Sequence, residues 1–252
     1  MRFKRLAEVI YHGKTVSWPS SRQAPGQTRA ERMQAFFAAI GVQFVPQPIF
    51  LSRRDEHFVA RLAARYQQLK QRVSKGYVIE DLRKASQFQI LMERSQRFQT
   101  FLGQGAHSQI EIVWISSDVE FALVAQDFIP QGAWLGEYAG EYRRVANSNE
   151  DYLWDNLVPG CLRETPDDAH LFLDALTYGN EMRFMNHQSV DVMAHYLDGR
   201  MATGPNVGFG ACFSPSSMHF VFFAKRDIYR GDELRISYGQ QYWIDKGVAP
   251  KE

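Results

Sequence analysis

Apolar side chains recur at helical spacing in three stretches of the first hundred residues. The first stretch opens on Thr28 and Glu31, which have the spacing of a capping box, and it ends at Gly41. The second opens at Ser52, a residue type that caps helices well. The third lies between Ile79 and Leu102. The pattern therefore predicts three amphipathic helices, each of which buries one face.

The inward faces of these predicted helices are apolar and aromatic. Their members are Met33, Phe36, Phe37 and Ile40 in the first helix, Phe58, Leu62, Tyr66 and Leu69 in the second, and Leu82, Phe88, Ile90, Leu91 and Phe98 in the third. Stripes of this kind form a core far more often than a cofactor site, so we assign them no chemistry. Gly103 to Gly105 would end the third helix. The Ser-, Pro- and Gly-rich segment Ser17 to Gln27 is a predicted linker.

After Gly105 the apolar period becomes that of short strands. The strand candidates are IEIVWI, FALVAQ, AWLGEYAGEY, LFLDAL, VMAHYL, HFVFFA and ELRISY. Two long loops interrupt them: Asn147 to His170, with six acidic residues and one arginine, and the Gly- and Pro-rich Arg200 to Ser217. Loops of this length in a compact domain often carry function. The second part of the chain is therefore predicted to be a β-rich domain.

Composition bounds the class of protein. The chain has 252 residues, 45% of them hydrophobic and 23% charged, which is typical of a soluble globular protein. No apolar run approaches the roughly eighteen residues of a membrane span, and the N-terminus lacks an apolar signal segment. Cys161 and Cys212 are too few for a disulfide framework, which favours a reducing compartment. The histidines show no metal-binding spacing, so we predict no metal.

The net charge of +1 hides two oppositely charged parts. Residues 1–110 hold 18 Lys and Arg against 7 Asp and Glu, or +11, and the remainder holds 11 against 21, or −10. The two parts could attract and pack on each other, or the acidic part could form a groove for a cationic partner. We favour the groove, and packing explains the charges equally well. A nucleic-acid surface on the basic part is the weakest interpretation, because no recognised nucleic-acid motif accompanies it.

Seven short motifs follow one another in the second part of the chain. They are IPQG with LGEYAGE at 129–141, LDA at 173–175, GN at 179–180, RFMNH at 183–187, FAKRDI at 223–228, GDEL at 231–234 and YG at 238–239. In this order they resemble the SET domain of protein lysine methyltransferases, over roughly residues 108–245. Each motif alone is weak, whereas seven in order make a specific signal. The first hundred residues resemble no family that we can name.

The resemblance implies an α+β protein with two parts. Residues 1–105 would form a helical N-terminal region, and residues 106–252 a SET domain of small β-sheets. In that fold the segment with Asn186 and His187 passes under a loop near the C-terminus, which forms a pseudoknot. This threading would bring Asn186, His187 and Tyr238 to one S-adenosylmethionine site.

The resemblance also implies roles for individual residues. Tyr238 corresponds to the catalytic tyrosine, and Tyr152 to a tyrosine at the lysine channel, where a hydrophobic loop anchor is an equally good account. Asn186 and His187 would hold S-adenosylmethionine. Tyr242 and Trp243 would lie against the adenine or over the channel mouth, although packing of a C-terminal helix is an equal alternative. For Arg183 we predict a structural ion pair.

The sequence departs from the family pattern at the glycine-rich loop that approaches the cofactor. Here this loop has side chains at Glu120, Phe121 and Ala122 in place of both glycines. A β-carbon at such a position can clash with a closely approaching ligand. The cysteine-rich, zinc-binding flanks of many histone methyltransferases are also absent, so aromatic residues of the C-terminal segment or the N-terminal helices would have to complete the lysine channel.

The resemblance predicts an S-adenosylmethionine-dependent enzyme that methylates the side-chain amine of lysine in a protein. The acidic loop would attract a lysine-rich segment, of which histone is one candidate, and no membrane partner is expected. Two alternatives stay open: an inactive SET-like binding module, and a nucleic-acid or chromatin binder that uses the basic N-terminal region. A soluble intracellular protein is expected, in a bacterial cytoplasm or a nucleus.

Overall fold

The computed structural model describes residues 8–11, 14–17, 28–102, 107, 109–116, 120–145, 152–155, 157–187 and 204–238. Its α-helices are α1 (Arg29–Ala39), α2 (Arg53–Ser74) and α3 (Leu82–Phe98). Short 3₁₀ helices cover Gly160–Leu162, Pro166–Ala169 and Glu181–Phe184. None of the helices in these described ranges combines the length and the hydropathy that a bilayer crossing requires.

The strands are short and fall into six small sheets. They are β1 (Glu8–Tyr11), β2 (Lys14–Ser17), β3 (Gln43–Phe44), β4 (Ile110–Ser116), β5 (Glu120–Ala125), β6 (Trp134–Glu137), β7 (Glu141–Arg143), β8 (Leu153–Trp154), β9 (Phe172–Asp174), β10 (Tyr178–Gly179), β11 (Asn186–His187), β12 (Val207–Phe213), β13 (Met218–Ala224) and β14 (Arg235–Ile236). The two larger sheets have the strand orders β12-β13-β6 and β7-β9-β8. The pairs β1-β2 and β4-β5 are antiparallel, whereas β10-β3 and β11-β14 are parallel. Helices combined with small sheets confirm the predicted α+β class.

The first two helices begin where the sequence predicts. The Thr28 side chain accepts the backbone N–H of Glu31, and the Glu31 carboxylate accepts the N–H of Thr28, which completes the capping box. The Ser52 hydroxyl accepts the N–H of Arg54 at the start of α2. Each cap satisfies backbone donors that have no partner within the helix.

The third helix differs from its prediction in start and orientation. It begins at Leu82 because the Asp81 side chain accepts the N–H groups of Arg83 and Lys84, three residues after the predicted start. Leu82 and Ile90 were predicted to point inward, but they are 83% and 50% exposed. The face of α3 that packs on β12 carries Phe88, Leu91 and Phe98 instead.

The N-terminal region holds α1, α2 and α3 as predicted, and the short strands β1, β2 and β3 also lie within it. One prediction about strand content was wrong. The predicted loop Arg200 to Ser217 contains β12, a strand of seven residues that pairs with β13 along its whole length. Most of the predicted linker and the whole VMAHYL segment lie outside the described residues.

One buried cluster joins the helices to the sheets. Phe36, Phe58 and Leu91 from the three helices belong to the same cluster as Leu123 and Phe222 from β5 and β13. Aromatic contacts cross the predicted boundary at residue 105, since the Tyr66 ring of α2 stacks on Phe213 with centroids 4.8 Å apart. The N-terminal helices and the sheets therefore share a core, while the division of the chain into two domains stays a prediction.

Replacement of Gly140 by alanine is expected to destabilise the fold by about 1–3 kcal/mol, because the new methyl would overpack the site. A Cβ on Gly140 would lie 2.4 Å from the backbone oxygen of Asp174, and backbone atoms cannot rotate away. Thermal unfolding measures the effect. Gly160→Ala is the control, since its Cβ would meet only the movable Gln87 side chain at 3.0 Å. Equal unfolding temperatures for both variants would contradict the close contact.

Candidate functional site

Parallel pairing of β11 with β14 brings together two segments that are distant in sequence. Asn186 pairs with Arg235, and His187 pairs with Ile236. The backbone N–H of Tyr238, two residues after β14, donates to His187 Nδ1 at 3.0 Å. The His187 and Tyr238 rings lie 5.2 Å apart. The structure therefore brings Asn186, His187 and Tyr238 to one place, as the predicted pseudoknot requires.

The Tyr238 hydroxyl has a fixed orientation. It donates to the backbone oxygen of Met185 at 2.8 Å, and Met185 is buried at the end of the 3₁₀ helix Glu181–Phe184. Because this bond uses the single hydroxyl proton, the Tyr238 oxygen can act toward a ligand only as an acceptor. Such an oxygen can accept an N–H from an amine.

The Asn186 side chain forms hydrogen bonds to two other segments of the chain. Its Nδ2 donates to the backbone oxygen of Phe121 at 3.2 Å and to Glu233 Oε1 at 3.2 Å. These two bonds use both protons of the amide nitrogen, so only the amide oxygen and the main chain of Asn186 can contact a ligand. The side chain therefore holds β5, β11 and the segment before β14 in register.

The segment Glu120 to Ala122 keeps a glycine-like backbone without glycine. Glu120 has φ of +61°, a left-handed conformation that is uncommon outside glycine. The Phe121 ring is buried against Phe36 and Phe184, and Ala122 is fully buried in β5. Only Glu120 is partly exposed. In this segment the side chains of Phe121 and Ala122 thus serve the core, and a ligand would meet Glu120 and the main chain.

Tyr152 lies beneath a buried arginine. It also has a left-handed backbone, with φ of +62°, and its carbonyl accepts the Tyr138 hydroxyl at 2.7 Å. The Arg183 guanidinium lies 3.9 Å from the centre of the Tyr152 ring, a cation–π contact. Arg183 is 6% exposed, and its Nε and Nη1 have no hydrogen-bond partner among the described residues. The predicted ion pair is therefore not seen for Arg183 within that part of the chain.

An aromatic cluster beside these tyrosines was not predicted as part of the site. Trp154 lies 4.7 Å from both Phe209 and Phe220, and Tyr138 contacts Trp154 at 5.9 Å. Burial raises the pKa of the Tyr138 hydroxyl well above its ordinary value, which keeps that group neutral. The available signal was the aromatic residues of YLW, which fall in the predicted acidic loop, and those of HFVFF, which we assigned to a strand.

The acidic loop is partly neutralised by the N-terminal helices. Arg65 of α2 forms ion pairs with Asp168 at 2.8 Å and with Glu164 at 2.7 Å. Arg29 of α1 pairs with the buried Glu181 at 3.4 Å. These contacts support the interpretation that the basic and acidic parts of the chain pack on each other. Two other predicted site residues, Tyr242 and Trp243, lie outside the described residues.

Acidification is expected to weaken the contact between His187 and Tyr238. Burial lowers the pKa of His187 below its ordinary value of 6.5. Below about pH 6.5 the unfolded chain therefore binds more protons than the folded one at this residue, so the stability that His187 contributes falls with the pH. Protonation would also replace the Nδ1 acceptor with a donor. NMR titration of the imidazole measures this pKa.

His107 provides the comparison for this titration. Its pKa is also lowered, first by burial and then by the charge of Arg29, so it contributes to stability with the same sign. A His107→Gln variant should retain the His187 titration and its effect on Tyr238. An imidazole of His187 that titrates above pH 6.5 would contradict the expected direction.

Comparison with known proteins gives one family match. Residues 120–239 match the family model of the SET domain. The match begins at the left-handed Glu120 and ends directly after Tyr238, so it includes Tyr152, Asn186 and His187 but neither the N-terminal helices nor Tyr242 and Trp243.

Two curated relatives and one solved structure show partial similarity to the chain. The chain is 26% identical over 144 residues to an Arabidopsis thaliana protein named probable inactive histone-lysine N-methyltransferase SUVR1. The aligned residues cover 54% of this chain and 18% of that protein. It is 25% identical to the histone-lysine N-methyltransferase SUVR4 of the same plant, over 54% of this chain and 28% of that one. The chain thus matches less than a third of the length of these relatives. A crystal structure of ATXR5 in complex with histone H3.1 mono-methylated on R26 has a TM-score of 0.49 and 17% identity, covering 80% of this chain and 83% of that chain.

Proposed function

Because residues 120–239 match the SET-domain family, we propose that this chain transfers a methyl group from S-adenosylmethionine to the side-chain amine of a lysine in a protein. The observation that carries the proposal is the convergence of Asn186, His187 and Tyr238, with the Tyr238 hydroxyl fixed by Met185. A family match alone would not specify a reaction, because function depends on the site.

The residues around Arg183 fit a polar cofactor. Two buried N–H groups of Arg183 lack partners among the described residues, and buried donors without partners are costly. A ligand with carboxylate or hydroxyl oxygens would satisfy them. The partly exposed Glu120, the main chain beside it, and the main chain of Asn186 and His187 would hold the rest of the molecule. S-adenosylmethionine, when bound, supplies an electrophilic methyl group on a positively charged sulfur.

The aromatic cluster would favour the neutral form of the substrate lysine's amine. A free lysine has a pKa of about 10.4 and is almost wholly protonated at neutral pH. Apolar surroundings such as Trp154, Phe209 and Tyr138 disfavour the ammonium form by desolvation. The Tyr238 oxygen, which can act only as an acceptor, would then orient the amine through one of its N–H groups. Binding in one orientation is a large part of catalysis for such a transfer.

A lysine-rich protein segment is the proposed substrate, and histone is the first candidate. Arg65 already neutralises Glu164 and Asp168, so the attraction would come from other acidic residues of the loop, such as the exposed Asp167. Such charges chiefly increase the rate of encounter.

The test uses the purified full chain, labelled S-adenosylmethionine and histone H3. We expect transfer of label to the histone, and mass spectrometry should locate it on lysine. Absence of label from histone and from a panel of other basic proteins would contradict the proposed activity.

A catalytically inactive SET-like binding module is the second candidate. It is favoured by the replacement of both loop glycines by Glu120 and Ala122 and by the name of one relative, probable inactive. Calorimetry with S-adenosylmethionine separates the two candidates, because a module that has lost the cofactor site should give no heat of binding below millimolar concentration.

Nucleic-acid binding by the basic helices has less support. Arg29, Arg65 and Arg94 face the second part of the chain: the first two form ion pairs with its acidic residues, and Arg94 donates to the backbone oxygen of Ala211. Steeply salt-dependent binding of DNA by the full chain would favour this function.

A further inference from the structure

Arg29, the first residue of α1, connects the N-terminal region to the segment that leads into the candidate site. Its Nη1 donates to the backbone oxygen of His107 at 3.2 Å. Its Nη2 donates to the backbone oxygen of Ile110 and to Glu181 Oε1, both at 3.4 Å. Glu181 is 4% exposed, and the structure gives this buried carboxylate a charged partner in Arg29. One guanidinium therefore joins α1, the start of β4 and the 3₁₀ helix Glu181–Phe184.

The other end of α1 is attached to the same segment. Directly after the helix, β3 pairs in parallel with β10, with Gln43 opposite Tyr178 and Phe44 opposite Gly179. The N–H of Val45 donates to the backbone oxygen of Gly179 at 3.0 Å. The stretch from Tyr178 to Phe184 is thus held at its start by β3 and within its 3₁₀ helix by Arg29.

The middle of α1 inserts an aromatic ring between two segments of the site. The Phe36 ring lies 5.2 Å from Phe121 and 6.0 Å from Phe184, and those two rings lie 5.2 Å from each other. Phe121 follows the left-handed Glu120, and Phe184 precedes Met185. The triangle of three rings therefore fixes β5 relative to the 3₁₀ helix.

Both of these segments carry the hydrogen bonds of the candidate site. The backbone oxygen of Phe121 accepts from Asn186, and the backbone oxygen of Met185 accepts from the Tyr238 hydroxyl. A shift of either segment would move an acceptor that orients a site side chain. Phe36 of α1 thus contacts the residue that accepts from Asn186 and the residue before the one that accepts from Tyr238.

From these contacts we propose that α1 is a positioning element of the cofactor site, with Arg29 and Phe36 as its positioning residues. The inference rests on the proposed function, since it names what prepares that site for S-adenosylmethionine. The physical reason is preorganisation: a site whose segments are already fixed loses less conformational entropy when a ligand binds. Arg29 and Phe36 act through Glu181, Phe121 and Phe184, and neither touches the reacting atoms.

The test compares two variants of α1 with two matched controls from the other helices. Arg29→Met removes the guanidinium and Phe36→Leu removes the ring. Arg53→Met removes an exposed arginine of α2, and Phe88→Leu truncates a phenylalanine of α3 that is as buried as Phe36. If Arg29→Met does not fold because Glu181 loses its partner, Phe36→Leu still tests the proposal. Hydrogen exchange of the peptide spanning 181–187 and calorimetric affinity for S-adenosylmethionine are measured in the full chain.

In Arg29→Met and Phe36→Leu we expect exchange of 181–187 to become about tenfold faster and affinity to fall about tenfold, with both controls near wild type. Faster exchange in a chain whose wild type binds no S-adenosylmethionine would support the positioning and overturn the proposed function instead. Unchanged hydrogen exchange of 181–187 in both variants of α1 would overturn the inference. So would an equal loss of affinity in Phe88→Leu, since that outcome would reduce α1 to general stabilisation.

Discussion

Replacement of Tyr238 by phenylalanine is expected to lower methyl transfer by at least about 100-fold, within the range measured for positioned polar groups in catalysis. The Tyr238 oxygen is held by its bond to Met185, so the variant loses an acceptor that is aimed in one direction. The loss should appear in kcat, because the ring itself remains. Radiolabel transfer to histone under saturating cofactor measures it.

Two measurements accompany the Tyr238 variant. The backbone oxygen of Met185 loses its donor, which should lower stability by about 1–3 kcal/mol, so thermal unfolding must confirm that the variant is folded at the assay temperature. Tyr229→Phe removes the hydroxyl of a tyrosine that is 42% exposed, and its activity should equal that of wild type. Full activity of the Tyr238 variant would remove this hydroxyl from the mechanism.

The convergence of three predicted site residues was predictable because they carry ordered motifs. Asn186, His187 and Tyr238 are far apart in sequence, and nothing in their local pattern places them together. The order of seven motifs does, because it specifies a fold in which β11 and β14 pair. Local rules were equally sufficient at the helix starts, where the caps of Thr28 and Ser52 depend only on neighbouring residues.

The strand β12 shows where local rules fail. Gly208 and Gly210 suggested a loop, but both glycines serve close packing inside a sheet. A Cβ on Gly208 would lie 2.6 Å from the Phe223 ring, and one on Gly210 would lie 2.0 Å from the Arg94 guanidinium. Glycine within a strand often marks such a close approach. Arg94, the neighbour of Gly210 on α3, is remote in sequence, so the pattern of β12 alone could not reveal this close contact.

Long-range charge pairing was also hidden from the sequence. The totals of +11 and −10 indicated that the two parts of the chain differ, without indicating which residues would meet. Arg65 is one of several arginines on α2, and only the packing of α2 against the acidic loop selects it for Asp168 and Glu164. For the same reason the exposure of Leu82 and Ile90 could not be predicted from the sequence. Which face of α3 is buried depends on how the helix packs against β12, which is remote in sequence.

A buried hydrogen-bond network around His219 likewise emerged only from the fold. The Nδ1 of His219 lies 2.7 Å from Glu137 Oε1, and its Nε2 lies 3.1 Å from the Ser214 hydroxyl. Glu137 is the last residue of β6, and its side chain is fully buried. Its Oε2 has no partner among the described residues, so His219 contributes the hydrogen bond that compensates this carboxylate for its burial.

His219→Ala is therefore expected to lower the free energy of unfolding by about 3 kcal/mol, the upper end of the cost of leaving a buried acceptor without its hydrogen bond. Glu137 would remain buried in β6 without its 2.7 Å partner. Denaturant unfolding at constant pH measures the loss. The control is His57→Ala on the exposed face of α2, for which a change within about 0.5 kcal/mol is expected.

A double-mutant cycle tests the cause of this loss. Glu137→Gln alone should destabilise the protein, because the amide is a poorer partner for His219. In the His219→Ala background the same change should restore about 1 kcal/mol or more, because it removes the uncompensated carboxylate. The sign of the Glu137 effect should thus reverse when His219 is absent. Additive losses in the double variant would show that His219 stabilises the β12–β13 hairpin by packing, and that the bond to Glu137 contributes little.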